Sequence, residues 1–348
     1  MESKRNYSLD MIRLWATMAV VMIHCSSDFI KEFAQNSAEF AVGNVMDALC
    51  RLGVPLFVMV SGALFLNEEK TVTIKGILQK NVKPIVAILM FWSAFYAVSY
   101  QVVLPWYRGK TVVLMKVVKA FLQGHYHLWY LYMTIGLYLI TPFLRQFVSK
   151  SKLDLVRLYL GVALLVQFTQ PCITMAARIF PDLKILITVI EKCRFDFFAG
   201  YVAYFILGWY LAHVGIPSLW ARRGIYALSV LSVLGMIGYV QITGNYQDAF
   251  DNLGLPVLFY SAGVFLWWQN RSLTLTQKQE KRLVSLSKRT FGVYVVHVFL
   301  LNQFQSLFPY SQMPLLYVLG SFVAVFVGSF LVSYLLSYIP WVKTMVRG

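Results

Sequence analysis

Apolar residues in this chain do not alternate with polar ones; they run together, and short basic segments punctuate the runs. Ten runs approach the ~20 residues that an α-helix needs to cross a bilayer. They are 10–28, 43–66, 84–104, 128–144, 158–173, 197–213, 225–242, 253–268, 290–304 and 315–339. The predicted fold is all-α, a polytopic membrane bundle of about ten helices. Lys116 and Lys119 interrupt the apolar stretch 111–121, which reads as interfacial. The stretch 183–190 is too short to cross, so it lies in the interface or re-enters.

Basic residues orient the bundle. Twenty Lys and Arg fall on the side of the two termini and the even-to-odd loops, and nine on the other. Because cytoplasmic loops carry the excess of Lys and Arg, both termini are expected inside. Composition adds that 59% of the 348 residues are hydrophobic and 13% charged, with a mean hydropathy of +0.63. A soluble domain of this size could not hide so much apolar surface. The net charge of +16 then reads as topology and affinity for anionic lipid. It does not point to nucleic acid, since there is no arginine-rich arm or soluble basic domain.

The first run is a full span without a small-residue cleavage site behind it, so no cleavable leader is expected. The chain reads as one transmembrane domain over 1–348, with its chemistry inside the bundle or at its mouths. No P-loop, GxSxG, HExxH or Rossmann glycine pattern stands in a usable context, and no internal repeat is evident. Cys25, Cys50, Cys172 and Cys193 form neither a metal-ligand spacing nor a disulfide framework, although Cys172 and Cys193 could pair on one outside loop.

Charged groups inside a span are costly and usually face a protein interior or a wet cavity. The first span carries Asp10, Arg13 and His24. Eleven steps of 100° return Arg13 and His24 to within about 20° of one face, roughly 16 Å apart along the axis. The small residues Thr17 and Val20 lie between them, which leaves room for a shallow groove. Asp10 can pair with Arg13, and Asp47 with Arg51 in the second span. Gly53 and Pro55 interrupt that span, and Ser61–Gly62 forms a patch for close packing. The fourth span opens HYHLWYLY: His125 reads as a loop residue, His127 as a candidate, Trp129 and the tyrosines mostly as interfacial anchors. Gly200 and Gly208 read as packing positions in the sixth. In the ninth, His297 lies deep in the membrane, with Tyr294 and Thr290 on its side.

Five segments in order, LDMIRLWATMAVVMIH, RLGVPLFVMVSGALF, HLWYLY, YFILGWYL and TFGVYVVH, carry a resemblance to the acyltransferase-3 family over essentially the whole chain. Thr290 stands where that family more usually has serine. The chain is most similar to short single-domain members of the enterobacterial common antigen O-acetyltransferase type. The resemblance implies a bacterial inner-membrane O-acyltransferase that moves an acyl group, acetyl by family habit, from acyl-CoA to a hydroxyl of a surface or lipid-linked glycan. It implies that Arg13 and His24 are required. On the expected topology, Arg13 at the inner mouth contacts the donor with Asp10 beside it, and His24 is the general base or a transient acyl carrier. Arg51 or Asp47 orients the imidazole or meets the oxyanion, and His297 is a second base. Ser61, His127, Trp129 and Tyr294 are substrate-binding candidates. No metal is expected. One continuous cavity should join Arg13 to His24, with Arg51 and His297 along it. The same buried charges would suit a polytopic glycan or acyl carrier, or a flippase, that does no chemistry. A sensor or anchor recruiting a partner enzyme gives no reason for Arg13 and His24 to share a face. Small residues on the tenth span offer a surface for a second copy.

Overall fold

A computed structural model describes residues 5–149, 152–192, 200–310 and 312–347, and these contain helices and no strand. The first half holds α1 (Tyr7–Glu32), α2 (Ala38–Cys50), α3 (Gly53–Phe65), α4 (Ile74–Ile77), α5 (Lys83–Val98), α6 (Leu104–Tyr107), α7 (Leu114–Gln123), α8 (Trp129–Phe147) and α9 (Leu153–Ala163). The second holds α10 (Thr169–Ile179), α11 (Lys184–Lys192), α12 (Tyr201–His213), α13 (Leu219–Thr243), α14 (Tyr246–Ala249), α15 (Leu255–Gln269), α16 (Gln277–Ser287), α17 (Thr290–Leu307) and α18 (Pro314–Leu336). Wider π-helical turns at Leu78–Val82, Ser99–Val103 and Leu164–Phe168 carry α4 into α5 and α6, and α9 into α10.

Six segments of the described chain are long and apolar enough to cross a bilayer: Tyr7–Glu32, Ala38–Phe65, Ile74–Tyr107, Leu153–Arg178, Leu219–Thr243 and Pro314–Leu336. The pair α16–α17, bent by 50°, makes a seventh if taken as one span. The expected spans at 128–144, 197–213 and 253–268 fall on α8, α12 and α15. Of these, α12 and α15 have only 13 and 15 residues, and α8 ends in the polar pair Arg145–Gln146. Length and apolarity by themselves therefore support six or seven crossings. The bundle's outer surface is apolar: Val230, Leu231 and Leu234 on α13 and Val323, Val327 and Leu331 on α18 are exposed. Strips of that kind belong in hydrocarbon, where a helix satisfies its own backbone. This is a multi-pass membrane protein.

The central helix is α1, which packs against α2, α3, α15, α16, α17 and α18. Asn6 caps its start by accepting from the Ser8 amide. Close approach to its neighbours depends on glycine: a Cβ on Gly43 would lie 2.8 Å from that of Phe29, and one on Gly53 2.9 Å from a methyl of Val20. The break expected at Gly53 and Pro55 is slight, since Arg51 and Leu52 keep helical dihedrals between α2 and α3.

The tightest crossing joins α3 to α12. A Cβ on Gly62 would lie 1.8 Å from the carbonyl oxygen of Phe205, and one on Gly208 2.0 Å from that of Met59. The neighbours are backbone and have nowhere to turn. Gly62→Ala or Gly208→Ala should cost at least about 1–3 kcal/mol, the usual range for an overpacked core. A thermal melt of the detergent-solubilised protein would show this; an unchanged Tm in both variants would mean the helices are not so close. Gly200 does not pack in this way: it precedes α12 with φ +84°, and nothing would meet a Cβ there.

Candidate active site

The residues singled out on α1 sit at opposite ends of a packed helix. Near its C-terminal end, a cavity of about 410 Å³ is lined by His24, Asp28, Asp47, Arg51, Tyr126 and Asn302, among others. Arg51 Nη2 donates to Asp47 Oδ2 at 2.7 Å, and the Asp47 side chain is 1% exposed. The Arg51 guanidinium also lies over the Phe250 ring, 4.9 Å from its centroid. Asp47 Oδ1 and Arg51 Nε are buried without a partner. The i,i+4 spacing on α2 makes the pair, and the turn after α2 holds Arg51 beside the cavity.

His24 does not stand alone there. Its ring centroid is 5.1 Å from that of His297 on α17 and 5.3 Å from that of Tyr126. His297 is fully buried, and its Nδ1–H donates to the Tyr294 carbonyl at 2.6 Å. That bond fixes the tautomer and leaves Nε2 as a lone-pair acceptor, buried and unpartnered. The His127 ring follows at 5.4 Å from His297, with its own Nε2 unpartnered. Its backbone carbonyl accepts the Tyr294 hydroxyl at 2.6 Å. Beyond it, His125 Nδ1 is 3.1 Å from His127 Nδ1, and the His125 ring stacks on Tyr96 and Tyr100. His125 lies in the loop before the turn Tyr126–Leu128, as expected, but it is half-buried there as a member of a four-histidine file. His24 makes no hydrogen bond to the described residues, so its ring nitrogens are free for a ligand in the cavity. No group of His, Cys, Asp and Glu among the described residues has the arrangement to hold a metal ion.

At the other end of α1, a second cavity of about 520 Å³ is lined by Arg5, Asn6, Asp10, Arg13, Lys70 and His213, among others. Asp10 does not pair with Arg13 as its spacing allows. It takes two bonds from Arg5, at 2.7 and 2.9 Å, and a third from the Ser287 hydroxyl at 2.7 Å. Arg13 is left without an ion pair or hydrogen bond among the described residues. His213 donates Nδ1–H to the Trp209 carbonyl at 3.1 Å.

Among the described residues Arg13 and His24 line two separate cavities with no lining residue in common, not the one continuous cavity expected. Thr17 between them spends its hydroxyl on the Arg13 carbonyl at 2.7 Å. Val20 is buried in one cluster with Tyr294, against Val54, Phe57 and Tyr130. Side chains of three other helices thus share one packed cluster with this face of α1. The convergence of His24, Arg51 and His297 holds in part: Arg51 shares the cavity with His24, whereas His297 meets the His24 ring from behind. Ser61 donates to the Phe57 carbonyl at 2.9 Å and lies with Arg13 around Tyr130, outside the lining of the His24 cavity. Trp129 is 40% exposed and packs on Tyr201. Thr290 bonds the Ser287 carbonyl, far along α17 from His297. Cys193 lies outside the described residues; Cys172 is a free thiol.

Sequence reasoning passed over Tyr126, Tyr246, Asn302 and Gln305, which complete the His24 cavity. Asn302 donates to the Tyr100 hydroxyl at 2.6 Å and Gln305 to Asp28 at 3.1 Å. A usable signal existed for the last two: amides three residues apart, five and eight residues beyond His297 on the same apolar helix. No curated protein and no solved structure matches the chain. A family model does: it aligns with residues 6–337, from the cap of α1 to the end of α18, and so takes in Arg13, His24, Arg51 and His297. On that match, the chain belongs to the acyltransferase-3 family, whose model describes an acyltransferase domain.

Proposed function

We propose that the protein is a bacterial inner-membrane O-acyltransferase that moves an acyl group, acetyl in the simplest case, from cytoplasmic acyl-CoA to a hydroxyl of a cell-surface or lipid-linked glycan. Both termini are cytoplasmic in this reading, which follows the distribution of basic residues. The observation that carries it is His24: an imidazole with no hydrogen bond to the described residues, in a polar cavity, beside the Asp47–Arg51 pair and backed by His297.

The acceptor hydroxyl enters the His24 cavity, where Tyr126 and Tyr246 offer ring faces and Asp28, Asn302 and Gln305 offer polar contacts suited to a sugar. His24 takes the hydroxyl proton as the oxygen attacks the thioester carbonyl. Arg51 stabilises the oxyanion that forms. The C–S bond breaks, the ester is complete, and the imidazolium returns its proton to the leaving thiolate. An acyl-His24 intermediate would use the same residues in two steps. The donor's phosphates bind at the Arg13 cavity, which also holds Arg5 and Lys70. For the thioester to pass from there to His24, the seam of Val20, Phe57 and Tyr130 has to part.

An unpaired guanidinium at a cavity wall suits bidentate recognition of phosphate or an amide carbonyl, and lysine cannot reproduce that fork. Arg13→Lys should weaken acyl-CoA binding about tenfold, the equivalent of one lost charge-assisted hydrogen bond. Titration calorimetry with acyl-CoA checks this, with Arg13→Ala alongside. Undiminished binding in both variants would make Arg13 structural. The function itself is tested by supplying purified protein with acyl-CoA and a surface glycan and measuring free CoA. A carrier or flippase would move its cargo and release none.

A further inference from the structure

We propose that the cavity between the α16–α17 bend and the end of α18 binds the phosphate headgroup of an anionic phospholipid. It measures about 420 Å³ and is lined by Ser285, Lys288, Arg289, Ser333, Ser337 and Arg347, with Val346 at its floor. Three cations and three hydroxyls converge there, and no carboxylate among the described residues lines it. Among the described residues none of the three cations has an ion pair; Arg289 rests its guanidinium on the Tyr334 ring, at 4.7 Å. Glu280, the carboxylate of α16, is turned toward Tyr7 instead.

Two further observations point to a bound phosphate rather than to a loose basic surface. Ser333 is 2% exposed and lines this cavity, and its hydroxyl makes no hydrogen bond to the described residues. The hydroxyl faces the cavity with its hydrogen available, and a phosphate oxygen is the acceptor the surrounding charges would select. Ser337 spends its hydroxyl hydrogen on the Tyr334 carbonyl at 2.6 Å, so the hydroxyl that can reach a phosphate from α18 is that of Ser333. Lys278, Lys281 and Arg282 line an adjoining hollow that shares Ser285, so the positive field extends along α16.

The neighbourhood identifies the phosphate as that of a lipid. Leu331 and Leu335, on the same helix as Ser333 and Ser337, are more than half exposed, and Tyr334 and Tyr338 are exposed beside them. A ligand seated on the cations would lay its chains along that strip. Basic pockets at the cytoplasmic ends of membrane helices are the usual place for anionic headgroups. The site touches neither the Arg13 nor the His24 cavity, so it stands independently of the transferase reading.

The test uses the full chain in detergent and a Lys288→Gln/Arg289→Gln/Arg347→Gln variant. Native mass spectrometry and thermal melts are recorded with phosphatidylglycerol, with phosphatidylcholine, and with inorganic phosphate or CoA in place of lipid. Phosphatidylglycerol should be retained and should raise Tm more than phosphatidylcholine, and the triple change should weaken its binding at least tenfold. Ser333→Ala should weaken it by a smaller factor without altering the fold. Equal retention of the two lipids, or undiminished phosphatidylglycerol binding in the triple variant, overturns the proposal. Stabilisation by phosphate or CoA without any preference for phosphatidylglycerol also overturns it, in favour of a soluble phosphate. If the triple variant does not fold, Lys288→Gln alone, at an exposed position, carries the same comparison.

Discussion

Changing His24 to Ala should lower acyl transfer about 100-fold or more while the protein still inserts, folds and survives extraction into detergent. General-base losses are of that size. The fold should tolerate the change because no described group depends on the imidazole for a hydrogen bond, so its removal orphans nothing. The measurement is transfer of labelled acyl groups from acyl-CoA, with size-exclusion behaviour and Tm recorded on the same preparations. Residual turnover above about a tenth of the original would remove His24 as the base. His297→Gln separates the two histidines: its Nε2 is buried behind the His24 ring, so its loss should cost less than that of His24. The opposite order would make His297 the base.

The second large effect is expected at Arg51, on stability as well as activity. Asp47 is buried, and Arg51 is its ion-pair partner. Arg51→Gln leaves a buried carboxylate uncompensated, at a cost of about 3–5 kcal/mol. It should also cost about 10²–10³ in turnover if the guanidinium meets the oxyanion. The double change Asp47→Asn/Arg51→Gln tells these apart, because two neutral amides can bond each other. Tm should return toward that of the unchanged protein in the double variant, and turnover should not. Recovery of both would assign Arg51 a purely structural role.

Much of the fold could be read directly because a membrane helix has to satisfy its own backbone and present an apolar surface. Unbroken apolar runs then leave little else to build, and α1, α13 and α18 show this in their sequences. The packing glycines were legible in part. Gly62 lies in an obvious small patch and does meet α12, at Phe205, as Gly208 meets α3 at Met59, whereas Gly200 turned out to shape a helix start. The marginal helices were harder: α12 and α15 are too short to cross unaided and stand because neighbours bury Phe205, Trp209 and Phe265.

Of the candidate site, helical spacing within one element was enough to pair Asp47 with Arg51 and to single out Arg13, His24 and His297 as membrane-embedded polar groups. Spacing also left open which partner Asp10 takes, and the structure chose Arg5 and Ser287 over Arg13 because they approach from outside the helix. The sequence by itself determined that the chain is a bundle of apolar helices, which family it resembles, and which polar residues lie within those helices. Only the tertiary structure decided that four histidines from three segments stand in file, and that Arg13 and His24 line separate cavities, with Val20 packed in a cluster that Phe57 and Tyr130 join. The physical reason is that periodicity specifies the face a side chain occupies on its own helix. What fills the space in front of that face comes from other helices, and no local pattern in α1 encodes it.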